Sequence, residues 1–137
     1  MRISKASLRI LAGYVEAFEP HGPIGRWQGG EADAGGVIQM PWYEYQPEVE
    51  RFVEDMYAAK LVRSIDWMRW AGTPEAQRLT SDPTAISGAS HDDLINLLTT
   101  IIRGERFGDS EIAGAYERGT LLAIAQRAHV LLGDGPG

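Results

Sequence analysis

The sequence predicts a mainly α protein: a compact single-domain bundle of four to five helices with a small β-hairpin. Three observations carry this. Apolar residues recur at i, i+3, i+4 and i+7 in several separate segments, the period of a helix with one buried face. Glycine and proline crowd into residues 20–47, a stretch that breaks helix and leaves room for a hairpin. A length of 137 residues suits one domain with a core large enough to fold without staples.

The first helix is expected over about residues 4–18. Leu8, Leu11, Ala12, Val15 and Phe18 form its stripe, and Pro20 and Gly22 end it. Residues 24–46 follow as a hairpin and aromatic loop. Two short runs, "IGRWQ" (24–28) and "GVIQM" (36–40), are the expected strands, joined by the polar "GGEADAG". "PWYEYQP" is expected to be extended, because residues before proline avoid the helical region.

Pro47 opens the second helix, where its missing N–H does no harm. Val49, Phe52, Val53, Met56 and Lys60 or Leu61 give the inward stripe, with Glu48 and Glu50 in the dipole-favoured first turn. "RSIDWMRWAG" is ambiguous. "TPEAQRL" is read as one or two turns capped by Thr73, and "TSDPTAISGA" as loop. Ser90 then caps a third long helix with Asp92 and Asp93 in its first turn; Leu94, Ile95, Leu97, Leu98, Ile101 and Ile102 face inward. Ser110 is the expected cap of a short helix, Glu111–Glu117, which Gly119 breaks. A last helix spans about 120–132 with Leu121, Leu122, Ala125, Ala128 and Leu132 inward, before a flexible tail at 133–137. The core is expected to join the first, second, third and last of these stripes.

Thirteen Lys and Arg stand against 19 Asp and Glu, a net charge of −6. Such a chain repels a phosphate backbone, so bulk nucleic-acid binding is not expected. No apolar run approaches the roughly 18 residues of a transmembrane helix, and "MRISKASLRI" lacks the core of a secretory signal; a cytoplasmic protein with no membrane partner is expected. Cysteine is absent, which removes disulfides and thiolate metal sites. His21, His91 and His129 stand apart with no metal-ligand spacing, so neither a metal nor another cofactor is expected; His91 is read as exposed and His129 as a core histidine. No Walker loop, nucleophile elbow or Rossmann glycine pattern is present.

The segment "LLTTIIRGERFGDSE" (97–111) draws the most attention. With about 100° per residue, Asn96, Thr99, Arg103 and Arg106 share a second helix face. That face holds neutral polar groups and arginines but no Lys or Glu, so it is expected to touch another part of the fold, a partner or a ligand. Two readings stand. In one, the arginines sit at the helix C-terminus, where the dipole favours cations, and pair with Asp66, Glu105, Asp109 or Glu111. In the other, the two guanidinium forks converge on a phosphate or carboxylate. The structural pairing, above all Arg106 with Asp66, is preferred. All four Trp lie between Trp27 and Trp70, and with Tyr43 and Tyr45 they form an aromatic belt read first as a core wall.

The blocks "GVIQMPWYEYQPEVERFVEDMY", "IDWMRW" and "LLTTIIRGERFGDSEIAGAYERGTLLAIAQRA" resemble a family of short bacterial proteins known as domain of unknown function 6508, over about residues 24–132. The resemblance implies a single compact domain and no activity, and it focuses attention on Asp66, Trp67, Arg103, Arg106 and Phe107. Two functions are therefore weighed. The first is a non-enzymatic protein-binding module, suggested by the acidic, aromatic-rich chain without a catalytic constellation. The second is a small-ligand or phosphate-binding protein, possible enzyme chemistry included, with candidate residues Arg103, Arg106, Asp66, Trp67 and Tyr43. Its partner would be a small anion.

Overall fold

The computed structural model describes residues 2–19, 24–32, 34–38, 40–106 and 110–134. Among them are eight α-helices, one 3-10 helix and a two-stranded antiparallel hairpin: α1 (Lys5–Ala12), α2 (Val15–Phe18), β1 (Gly25–Gln28), β2 (Trp42–Tyr45), α3 (Pro47–Ala58), α4 (Trp67–Ala71), α5 (Pro74–Ser81), the 3-10 helix (Pro83–Gly88), α6 (His91–Gly104), α7 (Glu111–Glu117) and α8 (Thr120–Asp134). The protein is mainly α with a small β-hairpin.

The helix count exceeds four to five because several expected segments are divided or were read as loop. The first helix breaks at Gly13, where Tyr14 N–H reaches Leu11 C=O in a tightened last turn. The break lets the Tyr14 ring stack on Phe18 and meet Phe52 edge-on, while its hydroxyl donates to Asp55 on α3 at 2.5 Å. Burial first, then the Asp55 carboxylate, pushes the Tyr14 phenol well above its ordinary pKa. The ambiguous 63–72 segment folds as α4 because Asp66 Oδ1 caps it, accepting from Arg69 N–H. Thr73 caps α5 as expected. The expected loop after it forms a 3-10 helix, capped in turn by Asp82 and burying Ile86. Pro20 and Gly22, the expected stop of the first helix, and the tail 135–137 lie outside the described residues.

The core lies largely where the stripes place it; in α8, however, Ile124 is fully buried although outside the expected stripe, while Leu122 and Leu132 are only half-buried, and Leu61 rather than exposed Lys60 closes the α3 stripe. Leu8 and Leu11 of α1, Phe18 of α2, Val49, Phe52 and Met56 of α3, and Leu94, Leu97 and Leu98 of α6 are buried together with Leu121, Ile124 and Ala128 of α8. Helix α8 packs on α1, α2, α7 and the 3-10 helix, and α6 on α4 and α7. The α6 N-terminus is fixed by a reciprocal capping box between Ser90 and Asp93. His91, expected to be exposed, is instead half-buried, and its Nδ1 accepts from Ile3 N–H at 2.9 Å. His129, expected in the core, is exposed.

The hairpin differs from expectation in its second strand. Residue 24–28 segment β1 pairs with β2 rather than with 36–40: Gly25 lies opposite Tyr45, Arg26 opposite Glu44, Trp27 opposite Tyr43 and Gln28 opposite Trp42. Segment 36–40 contributes one isolated bridge, Ile38 to Ala32. The reason is burial. In β2, Tyr43 and Tyr45 are half-buried and alternate with exposed Trp42 and Glu44, whereas Val37, Ile38 and Met40 are all exposed, so pairing there would bury no face. A Cβ on Gly25 would sit 2.5 Å from both Tyr43 Cε1 and the Glu44 carbonyl oxygen. Only glycine at this position lets the Tyr43 ring lie across β1.

Candidate functional site

The second face of α6 does touch the rest of the fold. Thr99 is fully buried, and its Oγ1 accepts from Arg63 N–H at 3.2 Å, which anchors the chain entering α4. Arg103, in the last turn, is half-buried; Arg106, expected on the same helix face, lies just beyond α6, which ends at Gly104, and is exposed. Both open onto a groove of about 190 Å³ between α4 and the end of α6, lined also by Tyr57, Trp67, Met68 and Ile102. Arg103 Nε is buried and has no hydrogen-bond partner among the described residues.

The expected ion pair between Arg106 and Asp66 is not formed. Asp66 is exposed, and its carboxylate turns back on its own helix to cap α4. An N-cap side chain is committed to the N–H groups of the turn that follows it, which directs Asp66 away from α6. An ion pair does form between Arg78 and Glu75 at 2.8 Å on α5, far from the arginine corner in sequence and exposed. Of the other expected partners, Glu111 is exposed and Asp109 lies outside the described residues, as does Phe107.

Glu105, the fourth expected partner, has a different role. It accepts from Ser110 N–H at 2.7 Å and from Ile112 N–H at 2.9 Å, so the acid at the end of α6 caps the start of α7. Ser110, the expected cap, occupies the position but in a left-handed conformation (φ 75°) and makes no side-chain capping bond. Glu105 Oε1 also accepts from the Tyr45 hydroxyl, and Ala113 N–H donates to that hydroxyl at 3.1 Å. Three elements meet at this carboxylate: the end of α6, the start of α7 and, 60 residues away in sequence, β2. Burial first, then the Glu105 hydrogen bond, drives the Tyr45 phenol far above its ordinary pKa, so it remains a donor.

Tyr43 belongs to this second cluster rather than to the arginine groove. Its ring meets Trp27 edge-on and lies against Tyr45. Burial raises its pKa, with further contributions from Glu117 and Glu105. Of the five candidate residues, then, Trp67, Arg103 and Arg106 share the groove; Asp66 and Tyr43 do not line it. Tyr57 and Met68 were not singled out from sequence. Their one signal is position: Tyr57 is an aromatic just off the inward stripe of α3, and Met68 sits between two tryptophans.

The hairpin carries the other conspicuous surface. Met40 is 85 % exposed, Ile38 67 %, Val37 61 %, Trp27 55 % and Trp42 44 %. The aromatic belt is thus only partly a core wall: Trp27, on the Tyr43 face of the hairpin, and Trp42, on the opposite face, are both exposed. A wider open depression of about 460 Å³ between the 3-10 helix and α8 is walled by Pro83, Leu122, Ala123 and Val130. The cation at its edge, Arg127, is tied by its Nε to the Ala89 carbonyl at 2.9 Å.

Among the described residues no three His, Asp or Glu side chains are grouped to hold a metal ion, and no helix is long and apolar enough to cross a membrane. The chain belongs to DUF6508, a family of unknown function, whose model matches residues 3–134. No curated protein and no solved structure matches the chain.

Proposed function

We propose that this member of DUF6508 is a non-enzymatic protein-binding module that docks its partner on the β-hairpin. The observation that supports the reading is the exposure of Val37, Ile38, Met40 and Trp42 within one short stretch of chain, with Trp27 exposed on the other face of the hairpin. Scattered apolar residues are normal at a surface, but a cluster of large ones on a single element marks a contact site. Tryptophan in particular concentrates at binding hot spots. The Tyr45–Glu105 bond anchors β2 to the helices on the face opposite Trp42, which limits the ordering that docking there would require.

The partner's chemistry follows from charge. Residues 24–50 contain five acids against one arginine, a local net charge of −4. A protein segment with an apolar face flanked by Lys or Arg fits this surface, and the same acidity disfavours nucleic acid. The proposal carries a cytoplasmic setting with it.

The test replaces Met40 with a photo-reactive benzophenone side chain and maps the cross-links formed in cells by mass spectrometry. The expected result is one recurrent polypeptide segment, apolar and rich in Lys or Arg, whose capture is lost on Ile38→Glu. Both positions are exposed, so stability should change by no more than about 0.5 kcal/mol. Cross-links scattered over many unrelated segments, or unaffected by Ile38→Glu, refute the reading.

A further inference from the structure

The groove between α4 and the end of α6 is independent of the hairpin. We infer that it is a binding site for a small organic anion: a phosphomonoester or carboxylate group taken by the Arg103 and Arg106 guanidiniums, attached to a flat or apolar group that rests on Trp67 and Tyr57. Four observations carry this. Two guanidiniums three residues apart, Arg103 in the last turn of α6 and Arg106 just past its end, open onto the same groove. Among the described residues neither is bound to a carboxylate, and Asp66, the acid nearest in sequence to the groove aromatics, is occupied as a helix cap. The Arg103 Nε–H is withdrawn from solvent with no acceptor among those residues. The remaining walls are Tyr57, Trp67, Met68 and Ile102, surfaces suited to a ring or short chain but not to a second charge.

The helix C-terminus alone does not account for the arrangement. The dipole there favours a cation, but an exposed one at a few tenths to 1 kcal/mol, and it offers nothing to a buried Nε–H. A buried donor left unsatisfied costs roughly 1–3 kcal/mol. An oxyanion in the groove removes that cost, and guanidinium suits it by presenting paired donors in a fixed plane. Size sets the class of ligand. At about 190 Å³ the groove is smaller than the roughly 300–1,000 Å³ of sites that enclose drug-sized molecules. It accommodates the anionic end of a metabolite and a few attached atoms or one ring, not a dinucleotide.

The probes are phenyl phosphate, benzoate and inorganic phosphate, titrated at constant ionic strength into the isotopically labelled protein. Two nuclear magnetic resonance signals report on the site: the Arg103 Nε–H and the Trp67 indole N–H, the latter assigned by Trp67→Phe. Both are expected to shift together and saturably with phenyl phosphate or with benzoate, and the tighter of the two identifies phosphate or carboxylate as the preferred group. Inorganic phosphate should bind about tenfold more weakly than phenyl phosphate, which reads the aromatic wall. Arg106 is exposed, so Arg106→Met should fold normally and weaken binding at least about tenfold, with Arg106→Lys intermediate. Absence of a saturable shift with every probe to about 10 mM, well above the millimolar range of weak metabolite sites, overturns the assignment. So does a shift that survives Arg106→Met unchanged. Ile38→Glu on the hairpin should leave these titrations as they are, which separates this site from the protein-docking surface.

Discussion

The Tyr45 hydroxyl donates to the Glu105 carboxylate across 60 residues of sequence, and through that bond the hairpin is fastened to the junction of two helices. Tyr45→Phe keeps the ring but removes the donor to Glu105 and the acceptor of Ala113 N–H. The expected loss is about 1–3 kcal/mol in urea unfolding, because two half-buried polar groups lose a partner. Glu105→Ala should cost at least as much, since it also uncaps α7. The two changes should couple by more than about 0.5 kcal/mol in a double-mutant cycle. Strict additivity would mean that the hairpin is not held by this contact.

That contact also shows where sequence reading stops. Helix stripes repeat locally, so the inward residues of α6 and most of those of α3 and α8 were legible from spacing alone, as were the Thr73 and Ser90 caps; Ile124 escaped because three helices and the 3-10 helix cover α8 on more than one face. Spacing offers Glu105 only as an ion-pair partner for the arginines, because its capping role depends on how the next helix turns back toward it. No periodicity encodes that turn. The strand partner was missed for a related reason. Segment 36–40 alternates as plausibly as 42–45, and only the burial of Tyr43 and Tyr45 against the helices selects the latter. At the site, helical spacing pointed to Arg103 and Arg106 together, and they do line one groove although α6 ends before Arg106, whereas the capping role that takes Asp66 out of it depends on where α4 begins.

Leu98 is fully buried in the middle of α6. Leu98→Ala removes three carbons where the surrounding helices can collapse only in part, and the expected loss is about 2–5 kcal/mol. Leu132, on the same kind of stripe in α8, is only half-buried and should cost distinctly less on the same substitution. Equal losses by chemical denaturation would contradict the burial that separates the two positions.

Asp66 and Arg106 should behave as strangers. Asp66→Asn keeps a good N-cap and should be close to neutral, whereas Asp66→Ala should cost about 0.5–2 kcal/mol. Arg106→Ala, at an exposed site, should stay within about 0.5 kcal/mol of the parent. Combining Asp66→Ala with Arg106→Ala should give additive losses within about 0.3–0.5 kcal/mol. A larger coupling would restore the ion pair that the capping geometry of Asp66 excludes.

His91 makes the stability of the N-terminal segment depend on pH. Its Nδ1 accepts from Ile3 N–H, which only a ring unprotonated at Nδ1 can do, and Ile3 is itself buried. Burial lowers the His91 pKa below 6.5, with Arg2 and Arg127 adding to the shift and Asp92 opposing it. Its place at the first position of α6, at the positive end of the helix dipole, acts in the same direction. A folded pKa below the unfolded value means that the unfolded chain binds more protons in the window between them, so stability rises with pH there. The contribution is complete above the unfolded value of 6.5 and is lost as pH falls through the folded one. The melting temperature should therefore drop between about pH 7 and pH 5 by more than in His91→Asn, whose amide oxygen can accept from Ile3 at every pH. The protection factor of the Ile3 amide, taken relative to the intrinsic exchange rate at each pH, should fall over the same interval in the parent and not in the variant. A His91 resonance that titrates at or above 6.5 in the folded protein would reverse the sign and remove the prediction.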